Sequence, residues 1–115
     1  MLTKLHGGYC RMFPCSMRNY KKEGYIAMTK EDIMRLVNDS LFANLGFIDS
    51  DGMPAIRRVF CTWHKGLGAH LISTNTSSMH VQNILKRKAA CLYFEDSHRF
   101  EGVCFTGKAI VHFEL

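Results

Sequence analysis

The sequence lacks a hydrophobic run of the length that a membrane span needs. Its longest stretches without charge, such as Ala89–Phe94, are far shorter than the roughly 20 apolar residues of a transmembrane helix. The first residues, MLTKLHGGYCRMF, carry charge and two glycines where a secretory signal needs a continuous apolar stretch. We therefore expect a cytoplasmic protein with no membrane partner.

The sequence also lacks the CxxC spacing that structural zinc sites and redox motifs use. Five cysteines are spread along the chain: Cys10, Cys15, Cys61, Cys91 and Cys104. An odd number without short spacing predicts reduced thiols, which suit a cytoplasm. His6, Cys10 and Cys15 lack a fourth ligand, and the pair Cys61 and His64 is no stronger, so no metal site is predicted.

Acidic residues are scarce, since 10 Asp and Glu against 15 Lys and Arg give a formal net charge of +5. The surplus lies in residues 1–27, where five basic residues face only Glu23, a net of +4. The rest of the chain has no basic stripe with interleaved aromatics, so no nucleic-acid partner is expected. We predict a basic, poorly ordered extension over residues 1–27 and one domain over residues 28–115.

The domain begins with a helix signal. Thr29 and Asp32 form a capping-box pattern before apolar residues at helical spacing, which predicts a helix from Lys30 to about Ser40. Alternating apolar residues then predict three strands, with turns at Asp51-Gly52 and at the KGLG motif that starts at Lys65.

A short second helix, the buried strand Ala89–Phe94 and one long strand complete the pattern, with Gly107 as a bulge or bend. Helices and meandering strands in this order predict a mainly β (α+β) fold, an antiparallel barrel with flanking short helices. The last strand ends on the apolar Leu115, so we expect either an incomplete C-terminus or an edge that pairs with another subunit.

Arg57 is unusual because it shares a strand face with the apolar residues Ala55 and Val59. Two interpretations stay open. The pattern alone favours an arginine at a strand edge that reaches water or pairs with a carboxylate, and the other interpretation is that it binds an anion. Arg58 faces the other way.

The segment STNTSSMHVQNI, residues 73–84, joins a strand to the second helix. Its hydroxyl residues are ordinary helix caps, but free N–H groups at a helix start also bind phosphate. The segment matches neither the GxGxxG fingerprint nor a Walker A motif, so a Rossmann or P-loop nucleotide site is not supported.

Four segments in series, GMPAIRRV, LISTNTSSMHVQNI, KAACLYFED and GVCFTGKAIV, resemble the pyridoxamine 5'-phosphate oxidase-like family of FMN-binding split barrels. The similarity covers residues 28–115 and is nearest to the small general-stress-protein branch. It implies an antiparallel split β-barrel, a homodimer with FMN at the subunit interface, and a flavin-dependent oxidoreductase whose substrate and catalytic residues the sequence does not name.

The resemblance also implies which residues bind the cofactor. Arg57 matches the phosphate-binding arginine, Thr74 the threonine that ends the next strand, and Ser78 the loop serine. Ser73 stands where the oxidases often have a tyrosine, and the backbone of Val59 and Phe60 is expected to run along the isoalloxazine ring.

Met79 and His80 depart from the family pattern, which has a lysine after the loop, often preceded by arginine. A phosphate dianion favours protonated histidine, so His80 can restore part of the missing charge, and weaker FMN retention is expected. Two alternatives remain: a non-catalytic or truncated split-barrel binding module without flavin, and a haem-binding relative with His64 or His112 as ligand.

Overall fold

The structure, a computed structural model, describes residues 8–21, 28–73 and 79–113. These residues form six strands and two helices: β1 (Gly8–Lys21), α1 (Lys30–Asp39), β2 (Phe42–Ile48), β3 (Pro54–His64), β4 (Ala69–Ser73), α2 (Met79–Lys86), β5 (Ala89–Asp96) and β6 (Glu101–Phe113). The strands close a barrel in the order β1-β4-β3-β2-β5-β6, and every neighbouring pair is antiparallel. The predicted fold class is confirmed.

Strand β1 lies in the segment that the sequence predicts to be a poorly ordered extension. That expectation is wrong for Gly8–Lys21, which pairs with β6 from Gly8↔Phe113 to Lys21↔Glu101 and with β4 as well. The register shifts between Pro14 and Ser16, opposite Gly107, so the irregularity expected at Gly107 is a bulge in the facing strand. A domain boundary after residue 27 stays a prediction.

Helix α1 starts at the predicted capping box. The Thr29 hydroxyl accepts from the Asp32 N–H at 3.1 Å, and the Asp32 carboxylate accepts from the Thr29 N–H at 3.3 Å. The helix buries Ile33, Leu36 and Val37 against the barrel. Neither helix within the described part of the chain has the length and apolar character needed to cross a membrane.

Both predicted turns are present. In the β2–β3 turn the Asp49 carboxylate accepts from the N–H groups of Asp51 and Met53, each at 2.9 Å, and Gly52 has φ 82°. In the β3–β4 turn the Gly68 N–H donates to the Lys65 carbonyl at 3.2 Å, with φ 61° at Gly68. Glycine adopts such positive φ values without a Cβ clash, which explains its place in each turn.

The core fills the barrel interior with inward-facing side chains from every strand. Its largest fully buried apolar members are Met12, Leu45, Ile72, Ile84, Leu92 and Phe94. Glu101 is also buried, and its carboxylate accepts from the Arg35 guanidinium at 2.9 Å. This ion pair connects α1 to the start of β6.

Candidate functional site

Strand β3 has two segments with different neighbours. Pro54–Phe60 pair with β2, whereas pairing with β4 covers only the stretch from Cys61 to His64. Among the described residues, the outer edge of β3 is therefore open before Cys61. Because the Cys61 N–H donates to the Leu41 carbonyl, alternate peptide groups such as those of Ile56 and Arg58 point to the open edge.

Arg57 lies on this open segment, opposite the fully buried Leu45 of β2. Its side chain is exposed although it shares a strand face with the buried Val59. It makes no hydrogen bond or ion pair with any other residue that the structure describes. A guanidinium in this position is available for an external anion.

Phe60 is half-exposed on the opposite face of β3 and contacts Phe42 of β2, with ring centroids 4.5 Å apart. The Arg58 guanidinium lies 4.6 Å from the centre of the Phe42 ring, which is cation–π range. By the same register, the peptide groups of Val59 point to Ala43 of β2. Phe60 and Ser73 each lie one residue beyond the last β3–β4 pair, Cys61↔Ile72.

The predicted phosphate cradle falls largely outside the described residues. Thr74 and Ser78 belong to the undescribed stretch 74–78, so their part in the site stays a prediction. Ser73 ends β4 with its backbone opposite Tyr9, and Met79 and His80 are the first two residues of α2. Their side chains are outside the description as well.

Two histidines considered as haem ligands already have partners. The Nδ1 atom of His64 accepts from the Leu67 N–H at 3.1 Å in an exposed turn. The Nε2 atom of His112 accepts from the Arg11 guanidinium across β1 and β6, and burial, followed by the Arg11 charge, lowers the pKa of His112. In each of these two histidines, one ring nitrogen thus already accepts a hydrogen bond from the protein.

His70 is a buried polar residue that the sequence did not single out. Its side chain is 1% exposed and neither ring nitrogen has a hydrogen-bond partner among the described residues. The ring contacts Trp63, Phe94 and Phe105, with centroids 4.8, 5.4 and 4.8 Å away. Burial lowers the pKa of His70 to about 4, so the imidazole is neutral at physiological pH.

A groove of about 900 Å³ lies beside this site, on the part of the barrel formed by β2, β3, β5 and β6. None of the predicted site residues lines it, although their neighbours Ala55 and Ile56 do. Its charged lining residues are Lys86, Lys88 and Lys108. The groove depends on which strands are neighbours, and the sequence shows that only after the barrel order is known.

No family model matches the chain, and no curated protein matches it by sequence. Solved structures do match. The conserved hypothetical protein Rv2991 from Mycobacterium tuberculosis superposes with a TM-score of 0.64 at 24% identity, over 76% of this chain. The match spans 56% of the Rv2991 chain, so the present chain corresponds to just over half of it.

A second match is a Clostridium acetobutylicum protein described as related to general stress protein 26 of B. subtilis, of the pyridoxinephosphate oxidase family. It superposes with a TM-score of 0.55 at 21% identity, over 72% of this chain and 92% of the other. At these identities the matches establish the fold, so the predicted split-barrel architecture is confirmed.

Proposed function

We propose that this chain is an FMN-binding flavoprotein and a flavin-dependent oxidoreductase of the pyridoxamine 5'-phosphate oxidase-like family. The observation that carries the proposal is Arg57, an exposed cation without a polar partner among the described residues, on the open edge of β3. The stress-protein-related C. acetobutylicum structure with the same fold, of the pyridoxinephosphate oxidase family, supports the choice of family.

The residues present fit this cofactor. Arg57 supplies a positive charge for the phosphate, and the start of α2 at Met79 adds N–H groups that favour an anion. The peptide groups of Ile56 and Arg58 at the open edge offer a donor and acceptor pattern for the polar rim of a flavin. When bound, FMN supplies the electron transfer, and the protein holds and orients it.

We further propose a homodimer with the flavin at the subunit interface. Leu41, Phe42 and Phe60 are 65%, 37% and 51% exposed and adjoin one another on β2, β3 and the turn before β2. Apolar surface of this kind is typical of a contact with another chain. A mass twice the 13.2 kDa of one chain in sedimentation equilibrium would support the dimer, and a single-chain mass at micromolar concentration would contradict it.

A cytoplasmic location completes the proposal. Cys61, Cys91 and Cys104 are all free thiols, as a reducing compartment favours.

The proposal is tested by comparing FMN with riboflavin, since the two differ only in the phosphate. Arg57→Ala is expected to weaken FMN binding about tenfold, the effect of losing one charge-assisted contact, and to leave riboflavin binding almost unchanged. Lys65→Ala is the control, because Lys65 is an exposed cation in the β3–β4 turn, away from the proposed site. Equal losses for both ligands in Arg57→Ala would show that Arg57 does not contact the phosphate.

A further inference from the structure

The groove beside the open edge is built from small residues in register. Ile56 pairs with Gly46, Gly46 with Cys91, and Cys91 with Thr106, so these four form one row across β3, β2, β5 and β6. Gly46 and Cys91 occupy the two central strands of the row, where larger side chains would fill the surface. The row therefore forms the floor of a depression rather than a ridge.

Packing fixes this floor. A Cβ on Gly46 would lie 2.5 Å from the Cys91 sulfur, so the Cys91 side chain occupies the space that a side chain at position 46 would need. Cys91 itself is half-buried. At one side Ile56 is 73% exposed, which leaves a large apolar side chain in water beside the groove. A volume of about 900 Å³ is sufficient for a small organic ligand.

The charge around this apolar floor has one sign. The lining includes three lysines and no Asp or Glu, and none of these lysines forms an ion pair within the described part of the chain. Lys88 and Lys108 both line the groove at the start of β5, where Ala89 pairs with Lys108 and the Ala109 N–H donates to the Lys88 carbonyl at 2.7 Å. An anion bound in the groove would be attracted by both positive charges.

Arg87 adds a fourth cation nearby. Its guanidinium nitrogen lies 3.3 Å from the position that a Cβ on Gly52 would occupy, in the β2–β3 turn that leads into Pro54. Pro54 lines the groove. The carboxylates of Asp49 and Asp51 lie in the same turn and offset the Arg87 charge, so the positive charge of the groove rests on its three lining lysines.

We propose that this groove binds an amphipathic anion, a molecule with an apolar body and a single anionic head group. The apolar body would cover Ile56 and the Gly46–Cys91 floor, and the head group would lie between Lys88 and Lys108. This site is separate from the proposed FMN site, since neither Arg57 nor the 73–80 segment lines it.

The test uses Cys91 as an internal reporter and decanoate, below its micellar concentration, as the probe. The full chain is alkylated with N-ethylmaleimide, and modification of the Cys91 peptide is followed by mass spectrometry. Decanoate at about ten times its half-protecting concentration is expected to slow alkylation of Cys91 about tenfold by mass action. Decanol, which has the same chain without the charge, is expected to change the rate less than about twofold, because the lysines add nothing to its binding.

The lysines are tested by Lys88→Gln combined with Lys108→Gln. Both side chains are exposed, so the variant keeps the fold, and the half-protecting concentration of decanoate is expected to rise about fivefold for two exposed ion pairs. Lys65→Gln is the matched control, an exposed lysine in the β3–β4 turn outside the groove, and should change nothing. Arg57→Ala should also leave decanoate protection unchanged, which separates this result from that of the FMN proposal.

The proposal would be overturned if decanoate failed to protect Cys91, as it would if a second copy of the chain covered the groove. Equal protection by decanol and decanoate would also overturn it, since the lysines would then play no part. So would an equal effect of Lys65→Gln and the double variant.

Discussion

Acidification is expected to destabilise the protein through His70. The ring is 1% exposed among Trp63, Phe94 and Phe105, and no described group accepts or donates a hydrogen bond to it. Its pKa is lowered from 6.5 to about 4 in the folded state because burial disfavours the imidazolium. The unfolded chain therefore takes up a proton at a higher pH than the folded chain does.

The size of the effect follows from these two pKa values. Stability is unaffected well above pH 6.5, falls as the pH drops below 6.5, and reaches its full loss below the folded pKa. Proton linkage gives a loss of about 1.4 kcal/mol at pH 5.5 and about 3 kcal/mol at pH 4. A substantial share of a small domain's stability is thus lost between neutral pH and pH 4.

The assay is urea unfolding followed by the fluorescence of Trp63, the only tryptophan of the chain, between pH 7.5 and pH 4. His70→Phe preserves an aromatic ring in an aromatic pocket and removes the titrating group. The difference between wild type and His70→Phe isolates His70, because His112, whose pKa is also lowered, is present in both. An exposed histidine, His98 in the β5–β6 turn, provides the control as His98→Asn.

If His70→Phe lost stability with acid as steeply as the wild type, His70 would not be the source of the acid sensitivity. A direct check needs no variant: proton NMR should find at least one histidine of the native protein, His70, still neutral at pH 5. Titration of every histidine near pH 6.5 would show that His70 is not buried as described.

Three further predictions concern packing, capping and the cofactor. Gly46→Ala should lower the free energy of unfolding by about 1–3 kcal/mol, because the added methyl group overpacks against the Cys91 sulfur. Urea unfolding measures this loss, and adding Cys91→Ala to the same chain should recover most of it. An unchanged urea midpoint in Gly46→Ala would contradict the close contact. Thr29→Ala should lower the free energy of unfolding by about 1 kcal/mol because the helix cap is lost, whereas Thr29→Ser keeps the hydroxyl and should lower it little. Equal losses in the two variants would mean that the hydroxyl does not cap the helix. His80→Lys should tighten FMN but not riboflavin in a fluorescence titration, because it supplies the cation that the family pattern has there, and no change in FMN affinity would contradict that role.

Helix α1 and the two tight turns could be predicted from the sequence, because contacts between residues close in the chain determine them. The capping box at Thr29 and the glycines of the two tight turns fix their structures through contacts a few residues apart. Helix α1 was therefore predicted to within one residue of its observed end at Asp39. The split barrel itself followed from the order of the elements and the resemblance.

Strand β1 escaped prediction because its pairing is non-local. It contains Pro14 and basic residues and lacks clean alternation, and its partner β6 lies about ninety residues later in the chain. Pro14 fits there because the ladder is already interrupted by the bulge before Ser16. A sequence pattern shows local secondary-structure propensity and hydrophobic periodicity, and neither of these reveals which distant strand will pair with a given strand.

In the candidate site, too, features with local causes could be predicted and features that depend on strand pairing could not. Alternation identified Arg57 as an arginine on an otherwise apolar face, but the open edge that frees it depends on where β4 stops pairing with β3. The lysine groove depends on β2 lying beside β5, which places Gly46 against Cys91. Nothing in the sequence distinguishes His70 from an ordinary strand histidine, and its burial is evident only in the closed barrel.

The central claim, that the chain binds FMN, is tested most directly by titrating the purified full-length chain with FMN and measuring the visible spectrum after gel filtration. FMN binding is expected to give two flavin absorption bands that stay with the protein, one FMN per chain, and a higher melting temperature with FMN than without. A protein that stays colourless and is not stabilised by FMN would show that the chain does not bind FMN, and a single Soret band would instead assign the protein to haem.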